Sequence, residues 1–482
     1  MASTGKNKVH MLVFPLMAHG HMLPMVDLAK IFASHGVEVT ILTTPANAPL
    51  IRPSLERFNS SNISPRICLH LIPFPSGVAG LPQGCENRSF LPSENLFPRF
   101  ISALSMLRQP FHDTLAELRP DCVFTDYFMP WTCDLAAERG IPRLEFTGVG
   151  FFAECAFRSM KHLKRFEGLA ADAETVVLPS LPDFIEMPRI NLPDPSNLEE
   201  REPFTSVFAH AAEVQTKNFG LVMNSFYELE PHYVEHFRHT VVPKAWHVGP
   251  VVLYNHDKAE MSKRGGDAAM RCLDWLDECK PGSVLFVCFG SASNITENQM
   301  REMAVGLEAS EHPFVWAVSN AGEGWIPEGF EETIEGRGML IRGWAPQLLI
   351  LEHIAVGGFM MHCGWNSCLE GISAGLPMVT WPLFADQFFN ERLLVDVLKI
   401  GVSVGATGYT LRAEEKKVVG ASVVEAAVRR VMGGDEEAEE RKRRVRELKK
   451  MAFMAVEEGG SSYNDIADLI QELEEKATTT AA

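Results

Sequence analysis

The sequence is short of the features that would tie it to a metal, a membrane or an oxidising compartment. Its ten cysteines, at 68, 85, 122, 133, 155, 272, 279, 288, 363 and 368, form no Cys-x-x-Cys pair and no His/Cys cluster at zinc spacing. Most sit in apolar runs such as VLFVCFG, where a reduced, buried thiol is expected. No uninterrupted apolar run approaches the ~20 residues of a membrane-spanning helix. The opening MASTGKNKVHMLVFP has no apolar core of the signal-peptide type before its first strand-like run. A cytoplasmic protein without membrane insertion is expected. Basic charge is also scarce: 44 Lys and Arg against 62 Asp and Glu leave a formal net charge of −18, which argues against nucleic acid as a partner. No Asp-x-Asp motif implies a metal. No G-x-G-x-x-G follows the first strand-like run, which counts against a dinucleotide dehydrogenase.

What is present is a long, repeated alternation of apolar runs and amphipathic stretches. At 482 residues, 46% hydrophobic and 22% charged, the chain has the size and composition of two globular domains. VHMLVFP and VEVTILTTP predict strands flanking a helix, MLPMVDLAKIFASHG, that ends at Gly36. DCVFTDYF and IPRLEFTG predict two more strands, with CDLAAERG helical between them. Such alternation predicts parallel, helix-covered sheets. A Pro-rich region over 179–203 reads as a loop over a cleft, and 73–98 as a shorter irregular patch. The pattern lapses between Lys244 and Asp267 and then restarts with SVLFVCFGS, a helix over 297–310, FVWAVS, MLIRGW, VGGFMMHCG and MVTWPLFAD. The charge run DEEAEERKRRVRELKK over 435–450 predicts a solvated helix, with Glu437–Arg441, Glu439–Arg443 and Glu440–Arg444 at the favourable i, i+4 spacing.

The most specific chemistry lies in the 44-residue stretch from Trp344 to Gln387. Trp344 can stack on a base. An apolar strand leads to His362, and a Gly-Trp-Asn-Ser turn then opens a helix whose free N–H groups suit a phosphate. His362, Asn366 and Ser367 add side-chain donors. Glu370, one turn after Ser367, can accept from ribose hydroxyls, and the pair Asp386-Gln387 closes the segment.

This stretch resembles the C-terminal signature box of plant family-1 UDP-dependent glycosyltransferases, without a gap, and the resemblance extends over essentially the whole chain. It implies the α/β architecture called GT-B: two Rossmann-like α/β/α domains facing each other across a cleft. The expected division is an acceptor-binding domain over 1–250, a linker over 251–267, a UDP-sugar-binding domain over 268–455, a helix over 456–476 returning to the first domain, and a disordered tail over 477–482. By the same resemblance Trp344 would stack on uracil with the Ala345 main chain at its edge, and Gln347 and Glu370 would hold the ribose. Ser291, His362, Asn366 and Ser367 would hold the diphosphate, and Trp365, Asp386 and Gln387 would contact sugar hydroxyls. Gln387 together with Trp365 points to UDP-glucose as donor substrate, with no cofactor or metal. A monomer is expected.

The first strand ends in PLMAHGHMLPMVDLAK, at the kind of strand end where ligands meet an open α/β sheet. A histidine there titrates near neutrality and can take a proton from an acceptor hydroxyl. His21 matches the family's catalytic base, while His19 stands where many relatives carry Gln. Asp126, at the end of another buried strand, is the candidate partner that would fix the tautomer of His21; a helix cap or local turn is the other role open to it. An inverting displacement then needs only the base, an electrostatically stabilised UDP leaving group and in-line geometry. No carboxylate pair suggests glycoside hydrolysis. Phe90, Phe128, Phe151, Phe152 and Phe204 are candidate walls of an apolar acceptor pocket, for a flavonoid, triterpenoid or steroid. Transfer to a phenolic ring carbon, a UDP-sugar epimerase on the same fold and a silent UDP-sugar binding protein remain as alternatives.

Overall fold

The computed structural model describes residues 8–61, 65–162, 174–193, 204–254, 270–290, 295–318, 324–410 and 412–481. Fifteen strands appear among them. In the first half these are β1 (His10–Phe14), β2 (Glu38–Thr43), β3 (Ile67–Leu71), β4 (Cys122–Asp126), β5 (Arg143–Phe146), β6 (Thr175–Leu178), β7 (Ile185–Pro188), β8 (Gly220–Met223) and β9 (Ala245–His247). The second half supplies β10 (Val284–Cys288), β11 (Phe314–Val318), β12 (Gly338–Arg342), β13 (Val356–Met361), β14 (Met378–Thr380) and β15 (Gly401–Ser403). Seven of the first nine form one parallel sheet in the order β3-β2-β1-β4-β5-β8-β9, and the last six form a second in the order β12-β11-β10-β13-β14-β15. Central strands such as β1 and β4 are apolar on both faces because helices cover both sides of a parallel sheet. The chain is thus the expected pair of Rossmann-like α/β lobes.

Several local expectations change. The Pro-rich region read as a loop contains β7, which pairs antiparallel with β6; the rest of it, 194–203, lies outside the described residues. The lapse placed at Lys244 actually begins with β9, whose three buried residues extend the first sheet. Of the expected linker, 255–267 lies outside the described residues. The final helix runs Ser461–Ala481, so the tail expected to be disordered is helical to Ala481. Thr478 and Thr479 continue it by returning their hydroxyls to the carbonyls of Glu474 and Glu475 (2.8 and 2.9 Å). This helix packs on the first lobe. Ile466, Leu469 and Leu473 join a core that includes Val9, Val26 and Trp246, Asp465 pairs with Arg238 at 2.9 Å, and Glu472 pairs with Lys244. On the helix Glu436–Val456, Glu437–Arg441 and Glu440–Arg444 form as expected, whereas Glu439 turns to Lys442. No helix among the described residues is long and apolar enough to cross a membrane.

The lobes touch at several points around the cleft. The ring of Phe157, on the helix Phe151–His162, meets Phe389, on the helix Gln387–Arg392, edge to face at 4.8 Å. Asn191 accepts from the Gly408 amide at 3.0 Å, and the Tyr409 amide donates to the Ile190 carbonyl at 2.9 Å.

Candidate active site

In the first sheet the strand order reverses between β1 and β4, which opens a crevice at their C-terminal ends. Both predicted catalytic residues emerge there. The helix after β1 runs His19–Ser34 and starts a turn earlier than its apolar periodicity suggests, so His21 lies on its first turn. Asp126 is the last residue of β4 and is fully buried. Its Oδ2 is 2.8 Å from Nδ1 of His21, and its Oδ1 accepts the Phe128 amide at 2.9 Å. A carboxylate only accepts, so Nδ1 of His21 carries the proton and Nε2 keeps a lone pair for an incoming hydroxyl. Burial pulls the imidazolium down. The charge and hydrogen bond of Asp126, with the more distant charge of Asp386, outweigh it, and despite opposition from Arg88 the pKa of His21 lies above 6.5. Gly148, at φ +77°, fits flat against this ring: a Cβ there would stand 2.9 Å from Cε1 of His21. His19 has no part in the pair. Its Nδ1 meets the Ser89 hydroxyl at 2.7 Å and its ring meets Phe90 edge-on at 6.4 Å.

The second sheet repeats the arrangement. Its order reverses between β10 and β13, and His362 directly follows β13. Two glycines fit around the His362 ring: a Cβ on Gly290, just past β10, would stand 3.0 Å from it, and one on Gly364 2.5 Å. Burial lowers the pKa of His362 to about 4, and its Nδ1 is a buried polar atom without a hydrogen-bond partner. A neutral imidazole with an orphaned nitrogen, beside the start of the helix Trp365–Ala374, fits a ligand that is rich in acceptors. Ser367 is buried on the first turn of that helix. Glu370 follows and accepts from the Gln347 amide; burial pushes its carboxyl up to about 7. Nε2 of Gln347 also lies 3.4 Å from the Ser367 hydroxyl, so these three expected diphosphate and ribose contacts form one cluster. The Ala345 carbonyl closes a tight turn by accepting the Gln347 amide at 2.8 Å. Trp344 stands 47% exposed, an aromatic plate with a face available for stacking. Ser291 lies outside the described residues. No group of three or more His, Cys, Asp or Glu among the described residues is placed to hold a metal ion.

Other expected donor contacts are committed elsewhere, at least in part. Trp365 is only 3% exposed. Its indole N–H donates to the Asn224 carbonyl at 2.6 Å, and its ring fills the space where a Cβ on Gly150 would stand. Its side chain is therefore committed to a contact between the lobes. Asn366 donates to the Gly20 carbonyl of the first lobe at 2.8 Å. Gln387 is buried, and its Oε1 accepts the main-chain amides of Leu383 and Phe384 (2.8 and 3.0 Å), so only its NH2 group could serve a ligand as a donor. Asp386 accepts from Asn390 at 2.7 Å. Burial raises its carboxyl to about 6, against that hydrogen bond and the charge of His21 across the cleft.

The aromatic walls differ most from expectation. Phe151 and Phe152 are fully buried, packed on Phe237 (5.5 Å) and Tyr233 (4.8 Å), because Glu230 accepts both their amides and pins the helix start inward. They belong to the core. The side chain of Phe204 lies outside the described residues. Phe128 does flank the site, 5.7 Å edge-on to His21. It continues into Phe208 (5.7 Å) and Tyr127, two wall residues that the sequence did not single out. Phe208 is 41% exposed, on the helix Phe204–Val214. Phe90 lies on the other side, beyond His19, next to Arg88, whose guanidinium sits over Phe97 (4.2 Å) and Phe384 of the second lobe (5.7 Å).

Several known proteins are similar to this chain. Residues 212–432 match the family described as UDP-glucoronosyl and UDP-glucosyl transferase. The chain is 43% identical to the scopoletin glucosyltransferase of Nicotiana tabacum, over 98% of its own length and 99% of that protein's. It is 44% identical to UDP-glucose flavonoid 3-O-glucosyltransferase 7 of Fragaria ananassa, over 99% and 98%. Among solved structures it is similar to UGT73P12 of Glycyrrhiza uralensis, crystallised with glycyrrhetinic acid 3-O-monoglucuronide: TM-score 0.91, 40% identity, 98% of this chain and 97% of the other. UGT71G1 of Medicago truncatula, crystallised with UDP-glucose, superposes with TM-score 0.77 at 25% identity, over 98% and 100%.

Proposed function

The chain belongs to the plant family of UDP-dependent glycosyltransferases, and on that premise we propose that it moves glucose from UDP-glucose to a hydroxyl of a small hydrophobic plant product, with inversion at the anomeric carbon. It is an enzyme, a UDP-glycosyltransferase. The observation that carries the mechanism is the His21–Asp126 pair, which puts the ring proton on Nδ1 and keeps Nε2 of a neutral His21 as the basic nitrogen. The acceptor hydroxyl gives its proton to Nε2 as its oxygen bonds to the anomeric carbon. The bond from that carbon to the β-phosphate oxygen breaks, and UDP leaves with the electron pair. Asp126 steadies the imidazolium until the proton passes to solvent. The helix start at Trp365, together with His362 and Ser291, meets the growing charge on UDP. Trp344 stacks on the uracil, with the Ala345 main chain at its edge, and Gln347 and Glu370 hold the ribose. Asp386, the Gln387 NH2 group and the main chain of Trp365 read sugar hydroxyls. Phe128, Phe208 and Tyr127 on one side and Phe90 on the other give the acceptor apolar, aromatic walls. The names of two relatives, a scopoletin glucosyltransferase and a flavonoid 3-O-glucosyltransferase, and the glycyrrhetinic acid 3-O-monoglucuronide bound in a similar structure support acceptors of that kind.

The test is mass-spectrometric product analysis of the purified protein with UDP-glucose and a mixed pool of flavonoid, triterpenoid and simple phenolic acceptors. A hexose adduct with UDP release that depends on acceptor supports the reading and identifies the acceptor class. UDP binding without any adduct, or sugar isomerisation without acceptor, would overturn it.

A further inference from the structure

The cleft contains a direct link between the donor box and the catalytic helix, and the sequence explains why it is available. In the helix His19–Ser34 the carbonyl of Gly20 would ordinarily accept the amide of residue 24. Residue 24 is proline, which has no N–H and whose ring crowds the carbonyl four residues earlier. Gly20 is therefore left without its i+4 donor, one residue before the base. The donor that reaches it comes from the other lobe: Nδ2 of Asn366, in the first turn of the box helix, at 2.8 Å. Asn366 is held in turn. Its Oδ1 lies 3.4 Å from Nδ2 of Asn224, whose carbonyl takes the indole N–H of Trp365 at 2.6 Å and whose Oδ1 takes the Val251 amide at 2.9 Å. Asn224 is buried.

We propose that Pro24 and Asn366 form a positioning pair: the proline frees the Gly20 carbonyl so that the box asparagine can hold the His21 turn in register with the donor cradle. The inference rests on His21 being the base. Neither residue touches the reacting atoms through this contact. Its role is to fix the distance between Nε2 of His21 and the anomeric carbon, which governs turnover and leaves the affinity for the nucleotide untouched.

Pro24→Ala restores the missing amide, which draws the Gly20 carbonyl back along the helix axis and away from Asn366. The helix gains a hydrogen bond, so the melting temperature should hold or rise. Because one neutral hydrogen bond is at stake, kcat at saturating UDP-glucose should fall about 3- to 10-fold, with the UDP Kd within about twofold of the parent. Asn366→Ala should lower kcat by a similar factor, and the double variant should be no worse than about twofold below the poorer single one, because both changes remove the same contact. An unchanged kcat in Pro24→Ala, or losses that multiply in the double variant, would overturn the proposal. Transfer surviving in His21→Ala would instead overturn the assignment of the base, and the coupling between positions 24 and 366 would still be measurable.

Discussion

Replacing Asp126 by asparagine should harm the enzyme more than replacing it by alanine, an inversion of the usual order for conservative changes. The reason is the anchoring of the carboxylate. Oδ1 accepts the Phe128 amide at 2.9 Å, and an asparagine carbonyl would keep that bond and turn its NH2 group toward Nδ1 of His21. A donor facing Nδ1 forces the proton onto Nε2, the nitrogen that has to receive the acceptor's proton. A base locked in the wrong tautomer loses on the order of 10⁴-fold in kcat. Alanine leaves the ring free to adopt either tautomer and removes only the charge-assisted hydrogen bond to the imidazolium, which is worth roughly 1.5–3 kcal/mol, or about 10- to 100-fold. His21→Ala should exceed the alanine loss at Asp126. The pH profile gives a second check. As a base, His21 must be neutral, so kcat/KM should rise with pH through a pKa above 6.5 in the parent. In Asp126→Ala burial dominates and the limb should move to the acid side of 6.5. Steady-state kinetics on folded variants decides. Equal or greater activity in Asp126→Asn than in Asp126→Ala, or an unmoved acid limb, would refute the tautomer argument.

Three further outcomes are expected. Gly148→Ala combines a left-handed φ with a Cβ 2.9 Å from His21, so turnover should fall by about tenfold or more while the UDP Kd is unchanged; calorimetric UDP titration beside the kinetics separates the two effects. Trp344→Ala should weaken UDP binding by about 10- to 100-fold, the range for loss of a base stack, with little change in melting temperature because the ring is exposed; an unaltered Kd would remove Trp344 from the site. Glu370, with its carboxyl near 7, accepts from a pair of ribose hydroxyls more strongly when ionised, so UDP binding should release protons and the affinity should fall as pH drops below 7, by at most about tenfold per pH unit. Glu370→Gln should flatten that slope, and isothermal titration in buffers of different ionisation enthalpy reads the proton count.

Both sheets were legible because parallel strands buried on two faces leave continuous apolar runs, as in VHMLVFP and VGGFMMHCG. The three-residue β15 and the hairpin β6–β7 were not, since three residues carry no periodicity and the hairpin lies among prolines. The site was legible where chemistry sits within one turn, at His362, Ser367 and Glu370, or at strand ends, at His21 and Asp126. It failed where the answer depends on contacts between lobes. Trp365 suits a sugar platform or a buried interface equally well by residue type, and only its bond to Asn224 decides. Phe151 and Phe152 became core through Glu230, about eighty residues away in the chain. Phe208 gave no signal beyond being one more apolar residue in a helical stretch.

The helix Ser461–Ala481 sets the order in which the molecule can be completed. Its Ile466, Leu469 and Leu473 belong to the core built on Val9, Val26 and Trp246, yet they leave the ribosome only after the whole second lobe. During synthesis the first lobe therefore waits with an apolar strip uncovered while more than two hundred residues are added. Its core is closed only by this helix, so the first lobe depends on a segment that follows the second even though each lobe has its own sheet.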